Sequence, residues 1–127
     1  MAYKYRIHKK VDKTKREEQV KYYAVPVSSK LTSVRELSKI ISDRCSLTRP
    51  DVIACLDALS FVIEEQFQQG NNVCLKGLGI FSLSASSPGF DTPEKCTPSK
   101  VKAKRICFLA DKDLKRSLKK VSFKKVD

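Results

Sequence analysis

Hydrophobic and polar positions change their period along this chain, and each change marks an element. The stretches YKYRIHKKV (3–11) and VKYYAVPV (20–27) are rich in β-branched and aromatic residues, with polar residues alternating in the first. They predict the two strands of a hairpin, joined by the polar, charged connection KTKREEQ. Pro26 interrupts the second strand or places it at a sheet edge. The period then lengthens to that of a helix. Ser33 and Glu36 form a capping box, and Val34, Leu37, Ile40 and Ile41 recur as one apolar stripe of a helix ending near Cys45. Thr48-Arg49-Pro50-Asp51 is a second start signal, with a Thr cap, a proline tolerated in the first turn and an acid favoured by the helix dipole. Val52, Cys55, Leu56, Leu59, Val62, Ile63 and Phe67 mark the apolar face that follows, and Ile53, Ala54, Ala58 and Phe61 widen it. Gly70 is placed as its stop.

A helix hydrophobic nearly all round must be buried, and a chain this small achieves that best by pairing with a second copy. An obligate homodimer is therefore expected, with ordinary packing against the N-terminal hairpin as the alternative. Val73, Leu75, Ile80 and Leu83 predict strands around a Lys76-Gly77-Leu78-Gly79 turn, where glycine supplies positive φ or room for another backbone. The G-x-G there is too short for a phosphate loop, since no strand-to-helix transition follows it.

Residues 84–99, SASSPGFDTPEKCTPS, hold three prolines and no apolar period, which suits a functional loop or an extended ribbon. On the return strand, KVKAKRICF (100–108), alternation puts Lys100, Lys102, Lys104, Ile106 and Phe108 on one face. Val101, Ala103, Arg105 and Cys107 take the other. A short basic helix starts at Asp111 or Asp113 and runs through Leu114 and Leu118. VSFKKV (121–126) reads as a final strand able to pair with the N-terminal hairpin.

Charge turns this outline towards a function. Net charge is +12, yet residues 31–99 carry six basic and eight acidic side chains. Residues 1–30 hold nine against three, and residues 100–127 hold eleven against three. Basic ends around a nearly neutral middle are the footprint of a polyanion binder, with nucleic acid the first candidate; a solvated Lys-rich surface is the bland alternative. The five cysteines form no CxxC pair, and the single histidine, His8, lies among lysines and arginines. Neither pattern suggests a metal site, a cofactor, a small-molecule substrate or a catalytic residue. An odd cysteine count without a signal peptide fits a reducing cytoplasm, and no apolar run approaches a membrane span.

From about Val34 to Leu118 the chain resembles the bacterial histone-like HU/IHF family. The segment LSKIISDRCSLTRPDVIACLDALSFVIEEQFQQGNNVCLKGLGIFSL carries the likeness, with GLGIF similar to the family's Gly-Phe-Gly-Thr-Phe element. CFLADKDLKRSL is similar to its Phe-x-Pro-Gly-Lys-x-Leu ending. The added KYYAVPVSS start, the FDTPEKCTPSKVKAKRICF arm and the VSFKKV end look like the longer subgroup called HU-HIG. The resemblance implies an α+β fold: an intertwined homodimer with a helical base, a β-sheet saddle and protruding β-arms. The added parts would be an N-terminal hairpin (1–30) and a C-terminal strand (121–127), around a core at 31–120 with its arm at about 84–104, all in a single HU-like domain over 1–127.

In that family the arms enter the minor groove, where a proline near each tip wedges between base steps. Pro93 lies nearest the wedge position here, but Thr92 and Glu94 flank it, so it is also read as a simple turn residue. Residues 82–99 carry only Lys95 against Asp91 and Glu94, unlike the family's basic arm, and Asp111 stands near the family's turn glycine. The expected activity is non-enzymatic, largely sequence-independent binding of double-stranded DNA, with or without bending it, by a cytoplasmic, nucleoid-associated homodimer. Lys100, Lys102, Lys104, Arg105, Lys112, Lys115, Arg116 and Lys119 are the candidate phosphate contacts, with Lys76 beside the GLGIF turn. A dimeric protein-interaction module of the same fold is the alternative. The N-terminal hairpin is read either as a second basic surface or as cover for a sheet edge.

Overall fold

The structure, a computed structural model, describes residues 2–13, 17 and 19–126. The expected 13–19 connection therefore lies largely outside the described residues. The chain forms two compact units, residues 1–33 with 117–127, and residues 34–116.

In the first unit, β1 (Tyr3–Asp12) pairs antiparallel with β2 (Gln19–Val27), in register from Lys4 opposite Val27 to Asp12 opposite Gln19. This is the hairpin the alternation predicts. Pro26 sits within β2, which is tolerated because β2 is an edge strand of the order β2-β1-β6. The last strand, β6 (Phe123–Lys125), joins the other side of β1 in parallel, Tyr3 opposite Phe123.

The second unit opens with α1 (Val34–Ser42), starting immediately after Ser33 and stopping three residues before Cys45. Next comes α2 (Arg49–Gln68), framed by the two signals read from the sequence. At its start the Thr48 hydroxyl donates to Asp51 Oδ2 at 2.7 Å, and the Thr48 N–H reaches the same oxygen at 3.2 Å. At its end Gly70 takes φ +85° and its N–H bonds the Phe67 carbonyl, while the Asn71 N–H bonds that of Gln66.

The cap carries a pH dependence. Hydrogen bonds from the Thr48 side chain, then from its backbone, hold the Asp51 carboxyl below its ordinary value. A depressed carboxyl contributes stability above its unfolded pKa and loses it as pH falls through the folded one. Thermal unfolding midpoints should therefore drop on acidification below about pH 4, and less steeply in Asp51→Ala than in wild type. Equal acid slopes in the two proteins would remove this role from the cap.

Strands β3 (Val73–Leu75), β4 (Gly79–Ser86) and β5 (Lys102–Ala110) form the second sheet in chain order, all antiparallel. Gly77, at φ +87°, turns β3 into β4 and meets no steric obstacle. The turn occupies the Lys76–Leu78 positions the glycines indicated. Phe81 and Phe108 face each other across β4 and β5, ring centroids 4.9 Å apart. Beyond the Ser86–Lys102 pair the ladder ends, and two short 3₁₀ turns, Pro93–Lys95 and Pro98–Lys100, occupy the connection. The unit closes with α3 (Lys112–Arg116); a 3₁₀ turn at Ser117–Lys120 belongs to the first unit.

Packing within the second unit is sparse. Among the described residues Val52 is the one apolar side chain classed as buried, and fully buried Ser38 marks the closest packing on α1. The Ser38 hydroxyl donates to the Arg35 carbonyl at 2.7 Å, so its burial leaves no polar atom unpaired. The predicted stripe on α1 stands largely bare, with Val34, Leu37, Ile40 and Ile41 all exposed. No helix of the described residues is long and apolar enough to cross a membrane.

Candidate nucleic-acid interface

The glycine-broken turn positions the first cluster of cations. Asp111 is its fastening. Its carboxylate accepts the Gly77 N–H at 3.0 Å and the Lys112 N–H at 2.7 Å, and its own N–H donates to the Leu78 carbonyl at 2.8 Å. Its carbonyl accepts the Lys115 N–H, so one residue ties the β3–β4 turn to the start of α3. A shallow groove of about 460 Å³ lies at this junction, and Lys76, Lys112 and Lys115 are on its lining. Asp111, at the position where the family's turn glycine was expected, thus spends its carboxylate on backbone donors rather than facing outward unpaired. In the sequence this acid stands near the family's turn glycine with no partner in view. Its partner at Gly77 is 34 residues away, so no local pattern announces the bond.

Arg116 pairs with Asp113 at 3.4 Å, both side chains more than 70% exposed, a contact weak enough to yield to a phosphate. Lys119 belongs to the other compact unit.

Along β5 the expected row of three lysines does not form. Lys100 ends a 3₁₀ turn instead of entering the strand. The register then slips by one between Ser84 and Ala85: Ser84 pairs with Arg105, but Ala85 pairs with Ala103, leaving Lys104 as the extra residue. Cross-strand partners share a face, so this bulge reverses the alternation below it. Lys102, opposite Ser86, lies on the face of Ser84 and Arg105 rather than with Ile106 and Phe108. The result concentrates Lys102 and Arg105 on one side, and Ile106 and Phe108 remain on the other. Lys100 and Lys102 meet again at a second groove of about 530 Å³, with Ser86, Ser87, Pro88 and Ser99. Pro93 opens its 3₁₀ turn, and its carbonyl accepts the Cys96 N–H, a turn residue's geometry.

A helix pair followed by a three-stranded sheet with a glycine turn, its open end and turn lined by lysines, defines an HU-like fold. The chain belongs to the HU-HIG family, described as HU domain fused to wHTH, Ig, or Glycine-rich motif, which it matches over residues 1–125. Among solved structures it is similar to Anabaena HU in a cocrystal with DNA, at 21% identity and a TM-score of 0.51, over 68% of this chain and 97% of that one. It is also similar to a candidate bacterial DNA-binding protein from Bacteroides vulgatus ATCC 8482, at 9% identity and a TM-score of 0.63. That match takes in 98% of this chain and 48% of the other, so the chain spans about half the length of that protein. At such identities the likeness is one of fold. No curated protein matches.

Proposed function

We propose that the protein is a non-enzymatic, HU-like homodimer that binds double-stranded DNA with little sequence preference and condenses or bends it, in the nucleoid of a bacterial cytoplasm. The observation that carries this reading is the Lys76, Lys112 and Lys115 cluster around the groove that Asp111 and Gly77 hold open. Flexible lysines on a rigid turn and helix start suit phosphate contacts, which supply affinity without reading bases. Lys100, Lys102, Lys104 and Arg105 are further contacts at the far end of the ladder, and Arg116 is one at the end of α3; Lys119, in the other unit, is a separate candidate. The DNA in the Anabaena protein's cocrystal supports DNA as the partner. The homodimer is supported by the bare apolar residues of both helices.

The test is a titration of a fluorescent duplex of about 30 base pairs at several salt concentrations. If the HU-like units of two subunits neutralise ~6 phosphates, that surface alone contributes a log K against log salt slope of roughly −5. Lys76/Lys112/Lys115→Glu should lose at least about tenfold in affinity and flatten the slope. Salt-independent binding, or an unchanged slope in this variant, refutes the assignment.

A second reading, a dimeric protein-interaction module, is favoured by the weakly acidic 82–99 segment, where Asp91 and Glu94 outweigh Lys95. Two 3₁₀ turns in place of a basic ribbon point the same way. A wild type that ignores duplex at low salt would favour it. Pro93 is assigned as a turn residue, so Pro93→Ala should leave any bend angle unchanged in the same duplex.

A further inference from the structure

We propose that the β2-β1-β6 sheet, outside the HU-like core, is a second DNA-binding surface that meets phosphates with one face of β1. The inference rests on duplex DNA being the partner of the HU-like unit. It starts from where the charge lies. Residues 1–33 and 117–127 hold thirteen Lys and Arg against four Asp and Glu, or +9; residues 34–116 hold thirteen against ten, or +3. Three quarters of the net charge therefore sits in the first unit.

The register places five of the seven strand cations on one face. Side chains alternate along β1, and cross-strand partners share a face. Tyr3, Tyr5 and Ile7 share one face with Ala24, Pro26 and Phe123, and with two of the seven strand cations, Lys9 opposite Tyr22 and Lys125 opposite Tyr5. An apolar groove of about 660 Å³ opens on it. On the opposite face stand Lys4, Arg6, His8 and Lys10, with Lys21 opposite Lys10 and Lys124 opposite Lys4. All six are exposed. Among the described residues none of Lys4, Arg6, Lys21 and Lys124 has an ion-pair partner. Lys10 lies 5.4 Å from the Tyr23 ring centroid, a contact that leaves its charge in place. Asp12, at the far end of β1, is the only acid in the three strands.

The geometry suits a polyanion with a regular backbone. Alternate residues of β1 stand ~6.8 Å apart, so the row from Lys4 to Lys10 spans about 20 Å, the length in which one DNA strand carries about six phosphates. An anionic membrane fits less well. A membrane-surface element presents cations beside large apolar residues that enter the bilayer; here the cationic face carries Val25, Val27 and Tyr23, and most of the aromatic surface is on the reverse of the sheet. One Tyr is too little for a stacking platform, which favours duplex over single strands. Two such faces tethered to the core add avidity without new base contacts.

The experiment compares wild type, Lys4/Arg6/Lys21→Gln and Lys76/Lys112/Lys115→Glu on one duplex across a salt series, with circular dichroism to check folding. Three neutralised contacts per subunit should flatten the slope by about 5 and weaken binding by at least tenfold at moderate salt. An unchanged slope in the Gln variant, with loss in the core variant, overturns the second surface and leaves the core assignment standing. No wild-type binding at low salt overturns both. Loss of binding to phosphatidylserine vesicles with duplex binding intact assigns the face to membranes instead and overturns the proposal. If the Gln variant does not fold, a photo-crosslinking amino acid in place of Arg6, against one in place of Tyr22 on the opposite face, decides it. Adducts to DNA from position 6 and not from position 22 support the surface; adducts from neither, or equally from both, refute it.

Discussion

Replacing Gly79 by alanine is expected to cost the fold about 3 kcal/mol or more, while the same change at Gly77 costs about 1–2 kcal/mol. The two glycines stand two residues apart in one turn, yet for different physical reasons. A Cβ on Gly79 would overlap the Leu109 carbonyl oxygen and lie 2.8 and 2.9 Å from two carbons of the Phe108 ring. The carbonyl belongs to the neighbouring strand and cannot move without breaking its pairing with β4. The ring is held against Phe81, so shifting it also disturbs the aromatic pair. At Gly77 a Cβ meets nothing within 4 Å, and only the left-handed φ of +87° opposes a side chain. Urea unfolding of both variants measures the difference. Equal losses would mean that the close approach at Gly79 relaxes freely and that backbone conformation alone fixes the glycines.

These glycines were legible in the sequence, and so was α2, because the signals are local. Thr48, Pro50 and Asp51 lie within one turn, Gly70 sits one step past the end, and strand alternation needs only the residues themselves. Signals that act at a distance were not legible. The bulge beside Ser84 depends on which residues of β5 pair with it, and a single unpaired Lys104 leaves no mark in composition. Moving one residue out of register carries every side chain beyond it to the other face, which is why the three-lysine row dissolved and Lys102 joined Arg105. Asp111 looked like the loss of a turn glycine, since nothing near it in sequence names Gly77 as its partner. Ser38 is a similar case: a polar residue beside the apolar stripe of α1 turned out to be the buried one. The candidate site was thus readable as a set of charges but not as an arrangement. In the first unit the reverse holds, for β1 alternates so regularly that its two faces follow from YKYRIHKKV once the hairpin is accepted.

Phe61→Asp is expected to abolish the folded state, not merely weaken it. Phe61 lies in the middle of α2 with 65% of its surface exposed, and Val62 beside it is exposed at 46%. With Val52 as the one buried apolar side chain of this unit, the lone chain removes little hydrocarbon from water. Full burial of such a residue contributes ~1.5–3 kcal/mol, whereas ordering each residue's backbone costs ~1–2 kcal/mol. Half-buried Ile53, Leu56, Leu59, Ile63 and Phe67 add only part of that burial each, so in the proposed homodimer the cover a second copy gives α1 and α2 would supply the missing stability. Wild type should sediment as a dimer and unfold at a midpoint that rises with protein concentration. In Phe61→Asp each dimer would bury two carboxylates facing apolar surface, so the cooperative transition should vanish at every concentration. Glu64→Gln, an exposed change one turn along, should leave both properties intact. Duplex binding should disappear along with the dimer, because the cations of a single, unordered chain lose their arrangement. A wild type that sediments as a monomer with a concentration-independent midpoint, matched by the Asp variant, would require the helices to be covered from within the chain.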